Sequence, residues 1–300
     1  MPKTKDKRQR SVAIIGAGRL GTALAMALSR RNYRITTLVG RRLARTRKAA
    51  ALLGVPVRTL AAKDIGSIEP ADLMILTTPD DQIESVAKAL KKIKVGEQNP
   101  PIVFHTSGAL SSSVLTTLSK RGWQTGSIHP LVSVSDPITG ASAFEGAYWC
   151  LEGDRKAVQT AKTLVRDLRG FSFSIPTDCK PLYHSAAVMT SGNVVALFAT
   201  AMDLLSECGL SSRESRRVLL PLLASTTANL DRHSPEKALT GTFARGDIAT
   251  VERHLESLAS QRHQQARKIY ELLGLKSLEL TKANGLDSKL AKRIANKLSN

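Results

Sequence analysis

The chain has 300 residues, of which 42% are hydrophobic and only 4% aromatic, enough for two packed domains with mainly aliphatic cores. Lysine and arginine number 44 against 25 acidic residues, a formal net charge of +19, which attracts anions. No aromatic interleaving or zinc spacing accompanies the basic residues, so no specific nucleic-acid partner is expected. Cys150, Cys179 and Cys208 form no CxxC and read as thiols of a reducing compartment, with no metal site. The histidines show no HExxH spacing. Behind the charged first ten residues there is no apolar run long enough for a signal peptide or a membrane span, so a cytoplasmic, non-membrane protein is expected.

The first strand is expected over residues 11–15. It leads into Gly16-Ala17-Gly18-Arg19-Leu20-Gly21 and an alanine- and leucine-rich helix over 22–31. A GxGxxG between a strand and a helix is a dinucleotide-binding turn. Gly16 permits the tight turn, Gly18 lets the backbone approach a pyrophosphate, and Gly21 lets the helix pack on the strand. The free amides of the helix then face the phosphates. The second strand, 34–39, runs into Gly40-Arg41-Arg42, where sites for NAD place an acid. A guanidinium there can clamp a 2′-phosphate. NADP(H) is therefore expected ahead of NAD(H) or coenzyme F420, and Arg19 can add a phosphate contact. Arg45, Arg47 and Lys48 read as a solvated helix face.

Strands follow at 56–59 and 71–77, the second leading through Thr77, Thr78 and Pro79 into a helix over 82–91 capped by Asp80 or Asp81. A strand at 101–104 ends in His105-Thr106-Ser107-Gly108. After a helix over 111–120, a strand at 123–128 ends in His129-Pro130. Strands at 147–151 and 171–175 flank a helix over 154–169. Ligands in such sheets lie beyond the carboxyl ends of the strands, where Thr77, Thr78, Pro79, His105, Ser107 and His129 all fall.

Beyond residue 179 the pattern is helical. The run 181–205 is apolar on more than one face and broken only by Ser191-Gly192-Asn193. Helices are expected over 212–230, 235–239 and 248–273, then a basic end that frays. The fold class is thus an α/β Rossmann-like domain, 11–176, followed by an all-α domain, 179–275, for substrate and dimerisation. Residues 1–10 and 276–300 are expected as basic, flexible tails. The all-round apolar character of 181–205 predicts a homodimer through the C-terminal helices.

Hydride transfer needs a proton carrier beside the reacting carbon. His129 and His184 are the candidates near neutral pH. Ser107, Ser191 and Asn193 could hold a polar group of a small-molecule substrate. His184 and Ser191, seven apart, share a helical face; Asn193 joins them only if Ser191-Gly192 bends the helix. Arg245 either binds an acidic substrate or pairs with Asp247 to brace a turn. His105 either contacts the cofactor or bridges strand end to loop. His233, His254 and His263 are expected at the surface. The expected activity is an NADP(H)-dependent oxidoreductase of a small C=O or C=N compound; the alternative is an NADP-binding sensor or scaffold without turnover.

Several strings resemble a known family: the glycine loop, His105-Thr-Ser-Gly-Ala-Leu110, Gly126-Ser-Ile-His-Pro-Leu131, Tyr183-His-Ser-Ala-Ala-Val188, Leu220-Pro-Leu222 and Ala238-Leu-Thr-Gly-Thr-Phe-Ala-Arg-Gly-Asp247. Together they are similar to the bacterial proteins with a Rossmann-like domain followed by a helical domain of unknown function 2520. The resemblance spans roughly residues 11 to 273 and implies an NADP- or F420-dependent oxidoreductase, distantly similar to pyrroline-5-carboxylate reductases, ketopantoate reductases and 6-phosphogluconate dehydrogenases. Hydroxyacid dehydrogenases of the wider group carry a catalytic lysine near the start of the first long C-terminal helix, with an asparagine soon after. Here no lysine follows Lys180 in that region, His184 is the nearest proton carrier, and Gly192 precedes Asn193.

Overall fold

The computed structural model describes residues 9–96 and 100–299 and divides the chain into two compact units, Met1–Gly192 and Asn193–Asn300. Residues 1–8 of the expected N-terminal tail lie outside the described residues.

The first unit alternates strands and helices: β1 (Ser11–Ile15), α1 (Arg19–Ser29), β2 (Arg34–Gly40), α2 (Leu43–Ala51), β3 (Arg58–Ala61), β4 (Leu73–Leu76), α3 (Asp80–Leu90), β5 (Ile102–His105), α4 (Thr116–Ser119), β6 (Gln124–Pro130), α5 (Pro137–Gly140), β7 (Tyr148–Gly153), α6 (Arg155–Asp167), β8 (Phe171–Phe173) and α7 (Lys180–Thr190). The strands form one sheet in the order β3-β2-β1-β4-β5-β6-β7-β8. All neighbours are parallel except β6 and β7.

Strands buried on both faces need apolar residues at every position, and β1 shows this. Val12 and Ile14 join the core on one side, with Leu24, Leu28 and Trp149; Ala13 and Ile15 join the core on the other, with Ile83, Leu90 and Trp123. The order reverses between β1 and β4, which opens a crevice at their carboxyl ends.

Local chemistry moved some boundaries. The helix expected over 111–120 is a three-ten turn, Ser112–Leu115, followed by the short α4. The helix expected from 82 begins at Asp80 behind Pro79, without a side-chain cap. Asp80 instead accepts from Ser107 Oγ at 2.7 Å, so the capping role expected for Asp80 or Asp81 is not filled.

The second unit is helical: α8 (Gly192–Glu207), α9 (Ser212–Arg232), α10 (Pro235–Ala238), α11 (Ile248–Ser257), α12 (Gln264–Ala283) and α13 (Ser288–Leu298). The expected run 181–205 is two helices. Ser191 leaves the helical region at φ −123°, ψ −82° and separates α7 from α8. The expected run 248–273 is also two, because a three-ten turn, Gln261–His263, intervenes between α11 and α12. In α9, Ser211 and Glu214 form a reciprocal capping box that satisfies two orphan amides.

The basic end is no tail. It completes α12 and forms α13, which starts where Asp287 Oδ1 accepts from Leu290 N at 2.8 Å. Ala291, Ile294 and Leu298 pack against Val251, Leu255 and Leu278 as the core of this unit. The period of these apolar residues turns one side of α13 inward, while its lysines remain in water. Ile294→Ala should destabilise this unit by about 2–5 kcal/mol, as truncation of a fully buried isoleucine does. Urea unfolding followed by circular dichroism checks it: an unchanged midpoint would return residues 288–298 to the status of a tail.

Candidate functional site

The glycine loop is built by three glycines with different reasons to be glycine. Gly16 has φ +123°, and a Cβ there would lie 2.6 Å from the carbonyl carbon of Thr77. A Cβ on Gly21 would lie 2.1 Å from Gly16 O. The fold itself forbids side chains at both. Gly18 is different: its φ of −84° suits any residue, and nothing lies within 4 Å of where its Cβ would stand. Its smallness serves no contact within the protein, and it leaves the backbone open to something outside it.

The loop is held from both neighbouring strands. Gly16 N and Ala17 N donate to Val39 O at 2.8 and 2.9 Å, Thr77 N donates to Ile15 O at 2.8 Å, and Thr77 Oγ1 donates to Gly16 O at 2.7 Å. The first turn of α1, opened by exposed Arg19, has no acidic residue and no side-chain cap, so its amides are free for an anion. Leu20 packs partly on the core. Immediately after β2, Arg41 and Arg42 are exposed, and Arg42 precedes α2 without a side-chain hydrogen bond to its first amides; the first turn of α2 also lacks an acid. Arg45, Arg47 and Lys48 are exposed along α2. Beyond β4, Thr78 Oγ1 is buried with no partner in the protein, and Pro79 is exposed.

A second group gathers at the ends of β5 and β6. His105 is fully buried: Nδ1 accepts from Ser107 N at 3.2 Å and Nε2 lies 3.1 Å from Ser111 O. Both nitrogens are thus used, as in the bridging alternative, and burial lowers its pKa from 6.5 to about 3. Ser107 Oγ donates to Asp80 and accepts from the amides of Ala109 and Leu110 at 3.2 and 3.0 Å, so it organises the turn. His129 and His184 meet edge to face with ring centroids 5.4 Å apart. A Cβ on Gly108 would lie 2.4 Å from His184 Nδ1 and 2.8 Å from His129 Nε2, so both imidazoles face that turn. His129 Nδ1 is 2.7 Å from Tyr183 Oη, and His184 Nδ1 is buried without a protein partner. Burial, then the nearby His184 and Lys180, lower the His129 pKa to about 4; burial raises that of Tyr183.

The remaining predicted residues lie elsewhere. Ser191 is exposed at the break after α7, its hydroxyl turned back to Ala187 O at 2.7 Å. Asn193 and Arg245 belong to the second unit and are exposed there. Asp247 caps α11 through Thr250 N at 3.1 Å. His233 and His254 are exposed, whereas the His263 side chain is only 12% exposed and lies 2.9 Å from Glu207. Among the described residues no group of three or more His, Cys, Asp or Glu could hold a metal ion.

Sequence reasoning passed over Lys180, Tyr183 and Glu152. The signal for Glu152 is an acid in the otherwise apolar strand Tyr-Trp-Cys-Leu-Glu-Gly. For Tyr183 it is adjacency to His184.

The low histidine pKa values make stability depend on pH. Between pH 6.5 and about 4 for His129, and about 3 for His105, the unfolded chain binds protons that the folded chain does not. Stability is therefore full above pH 6.5 and falls as pH drops through these values. Thermal unfolding from pH 7 to 3 should show the melting temperature declining already above the carboxylate range; a flat profile between pH 6.5 and 5 would contradict neutral burial.

Residues 2–130 match a Rossmann-like domain, and residues 147–277 match the domain of unknown function 2520. A glycerol-3-phosphate dehydrogenase [NAD(P)+] of Orientia tsutsugamushi is 28% identical over 189 residues, 60% of this chain and 52% of that protein; the chain spans about half the length of this curated relative. Among solved structures, a candidate NADP oxidoreductase of Bacteroides fragilis is 24% identical with a TM-score of 0.72, covering 90% of this chain and 98% of that one. A pyrroline-5-carboxylate reductase of Coxiella burnetii is 13% identical with a TM-score of 0.57, covering 97% and 98%. These structures share the fold. The chain thus carries a Rossmann-like domain followed by a domain of unknown function 2520, and shares its fold with the candidate NADP oxidoreductase and the pyrroline-5-carboxylate reductase.

Proposed function

We propose that the protein is an NADP(H)-dependent oxidoreductase acting on a small C=O or C=N compound. The observation that carries this reading is Gly18, a glycine that neither backbone conformation nor packing requires, at the uncapped start of α1. The residues present fit a dinucleotide. The amides after Gly18 and the exposed Arg19 would hold its pyrophosphate, and Arg41 and Arg42 would hold a 2′-phosphate at the uncapped start of α2. Thr78 Oγ1, orphaned beyond β4, would turn to the bound group. When bound, the nicotinamide supplies or takes the hydride.

The protein's own part is to hold and move a proton. His129 is neutral at pH 7, since its pKa is lowered to about 4. Tyr183 engages its Nδ1, which leaves Nε2, on the Gly108 side, to exchange a proton with an alcohol or amine. His184 Nδ1 faces the same turn and is free of protein partners. His105 and Ser107 support this arrangement through hydrogen bonds already made.

A homodimer is the proposed assembly. In α7, Leu182 is 76% and Met189 65% exposed; in the second unit, Val195, Leu222 and Leu272 are similarly bare. Leaving so many apolar side chains in water is unfavourable by roughly 25 cal/mol per Å². The segment Thr177–Glu207 contains an 18-residue window of mean hydropathy 1.5, apolar enough to cross a membrane. The break at Ser191 splits it into helices of 11 and 16 residues, short of the ~20 that a span needs. A second copy of the chain is the occupant that this geometry favours.

Calorimetric titration with NADPH and NADH tests the cofactor. Wild type should prefer NADPH, Arg41→Ala/Arg42→Ala should reduce the preference by up to a few kcal/mol, and Gly18→Val should fold yet bind neither. Equal wild-type affinities, or normal binding by folded Gly18→Val, would overturn the reading. Turnover of NADPH with a metabolite panel would separate an oxidoreductase from a sensor. Sedimentation equilibrium across the micromolar range should show twice the chain mass; a value fixed at 32.4 kDa would reject the dimer.

A further inference from the structure

Lys180 opens α7 with its side chain fully buried. Its Nζ donates to Ser127 Oγ at 2.6 Å and to Ser107 O at 3.3 Å, and lies 4.0 Å from Glu152 Oε1. Ser127 Oγ in turn donates to Ser107 O at 3.2 Å. These partners come from three neighbouring strands: Ser107 lies just beyond β5, Ser127 within β6, and Glu152 within β7. Glu152 is itself fixed by the Ser112 amide and by Ser112 Oγ at 2.8 Å. Burying an ammonium is costly unless it is paired and hydrogen-bonded, and a methionine would fill similar space without that cost. The cation is well served by its contacts, and one turn further along its helix stand Tyr183 and His184.

We infer that Lys180 is a positioning residue, whose ammonium ties the ends of β5, β6 and β7 to the first turn of α7 and so fixes the Gly108 turn against the paired imidazoles of His129 and His184. The inference rests on the reading of that pair as the proton-handling group. Lys180 makes no contact with substrate itself, being wholly covered, and this separates it from a lysine that donates a proton directly. Its charge has a second consequence. His129 faces Lys180, Tyr183 and His184 from α7, His105 from β5, and the Cys150 and Glu152 strand from β7. In this group Lys180 favours the neutral imidazole, and Glu152 favours the charged lysine against the effect of burial.

The test needs neither cofactor nor substrate, so it can fail separately from the NADPH titration. Histidine-labelled protein is followed by NMR through a pH titration, and amide exchange is measured at Ala109 and Leu110, whose N–H groups donate to Ser107 Oγ. In Lys180→Met the His129 titration should move up, by a fraction of a pH unit, because a nearby cation is gone. Exchange at Ala109 and Leu110 should quicken roughly tenfold while the amides of β1 keep their protection. Ser127→Ala, which removes an Nζ acceptor but keeps the charge, should quicken the same amides and leave the His129 titration near wild type. A folded Lys180→Met protein in which either the titration or the two amides stay unchanged overturns the inference. If Lys180→Met does not fold, Ser127→Ala decides: faster exchange at the turn supports the clamp, and unchanged exchange rejects it.

Discussion

The candidate site depends on one close approach of backbone to backbone. After β1, Gly16 turns under the end of β4 so tightly that a Cβ would strike the Thr77 carbonyl, and Gly21 sits so near Gly16 O that it too must lack a side chain. The Thr77 hydroxyl closes the space by donating to Gly16 O. Because α1 starts within this turn, its first amides are carried to the crevice between β1 and β4 and left without internal acceptors. The open Gly18, the approach to Arg41 and Arg42 through Val39, and the position of Thr78 all follow from that constraint.

A second constraint is electrostatic. Around the ends of β5 and β6, His105 and His129 are held neutral by burial, while a lysine is kept within hydrogen-bonding reach of the same strand ends. Such an arrangement persists only if the cation has compensating partners, and Glu152, Ser127 and Ser107 provide them. The result is a group in which one charge is deeply covered and the more accessible imidazole is uncharged, a state in which a ring nitrogen can accept a proton at neutral pH.

The second unit obeys a simpler rule. Its core is small and lies among α11, α12 and α13, where an amphipathic period turns Ala291, Ile294 and Leu298 inward and leaves the lysines in water. α8 has no buried residue, although its composition is apolar. Its apolar side chains are therefore at least partly exposed, the feature on which the proposed homodimer rests.

The strands of β1, β4 and β5, the glycine loop, the acid-free end of β2 and the helical character of the C-terminal half were legible in the sequence, because each depends on local period and on spacings of a few residues. The placing of His105, Ser107 and His129 at strand ends was legible for the same reason. The helix breaks at Ser191 and before α12 were less so, since apolar period ran on through both. Lys180 was not legible as a buried cation. Its partners stand 53 and 73 residues away along the chain, and no local pattern says whether a lysine at a helix start will point to water or into a sheet. That was decided by tertiary structure, which brought β5, β6 and β7 side by side beneath α7 and left the ammonium no solvent to reach.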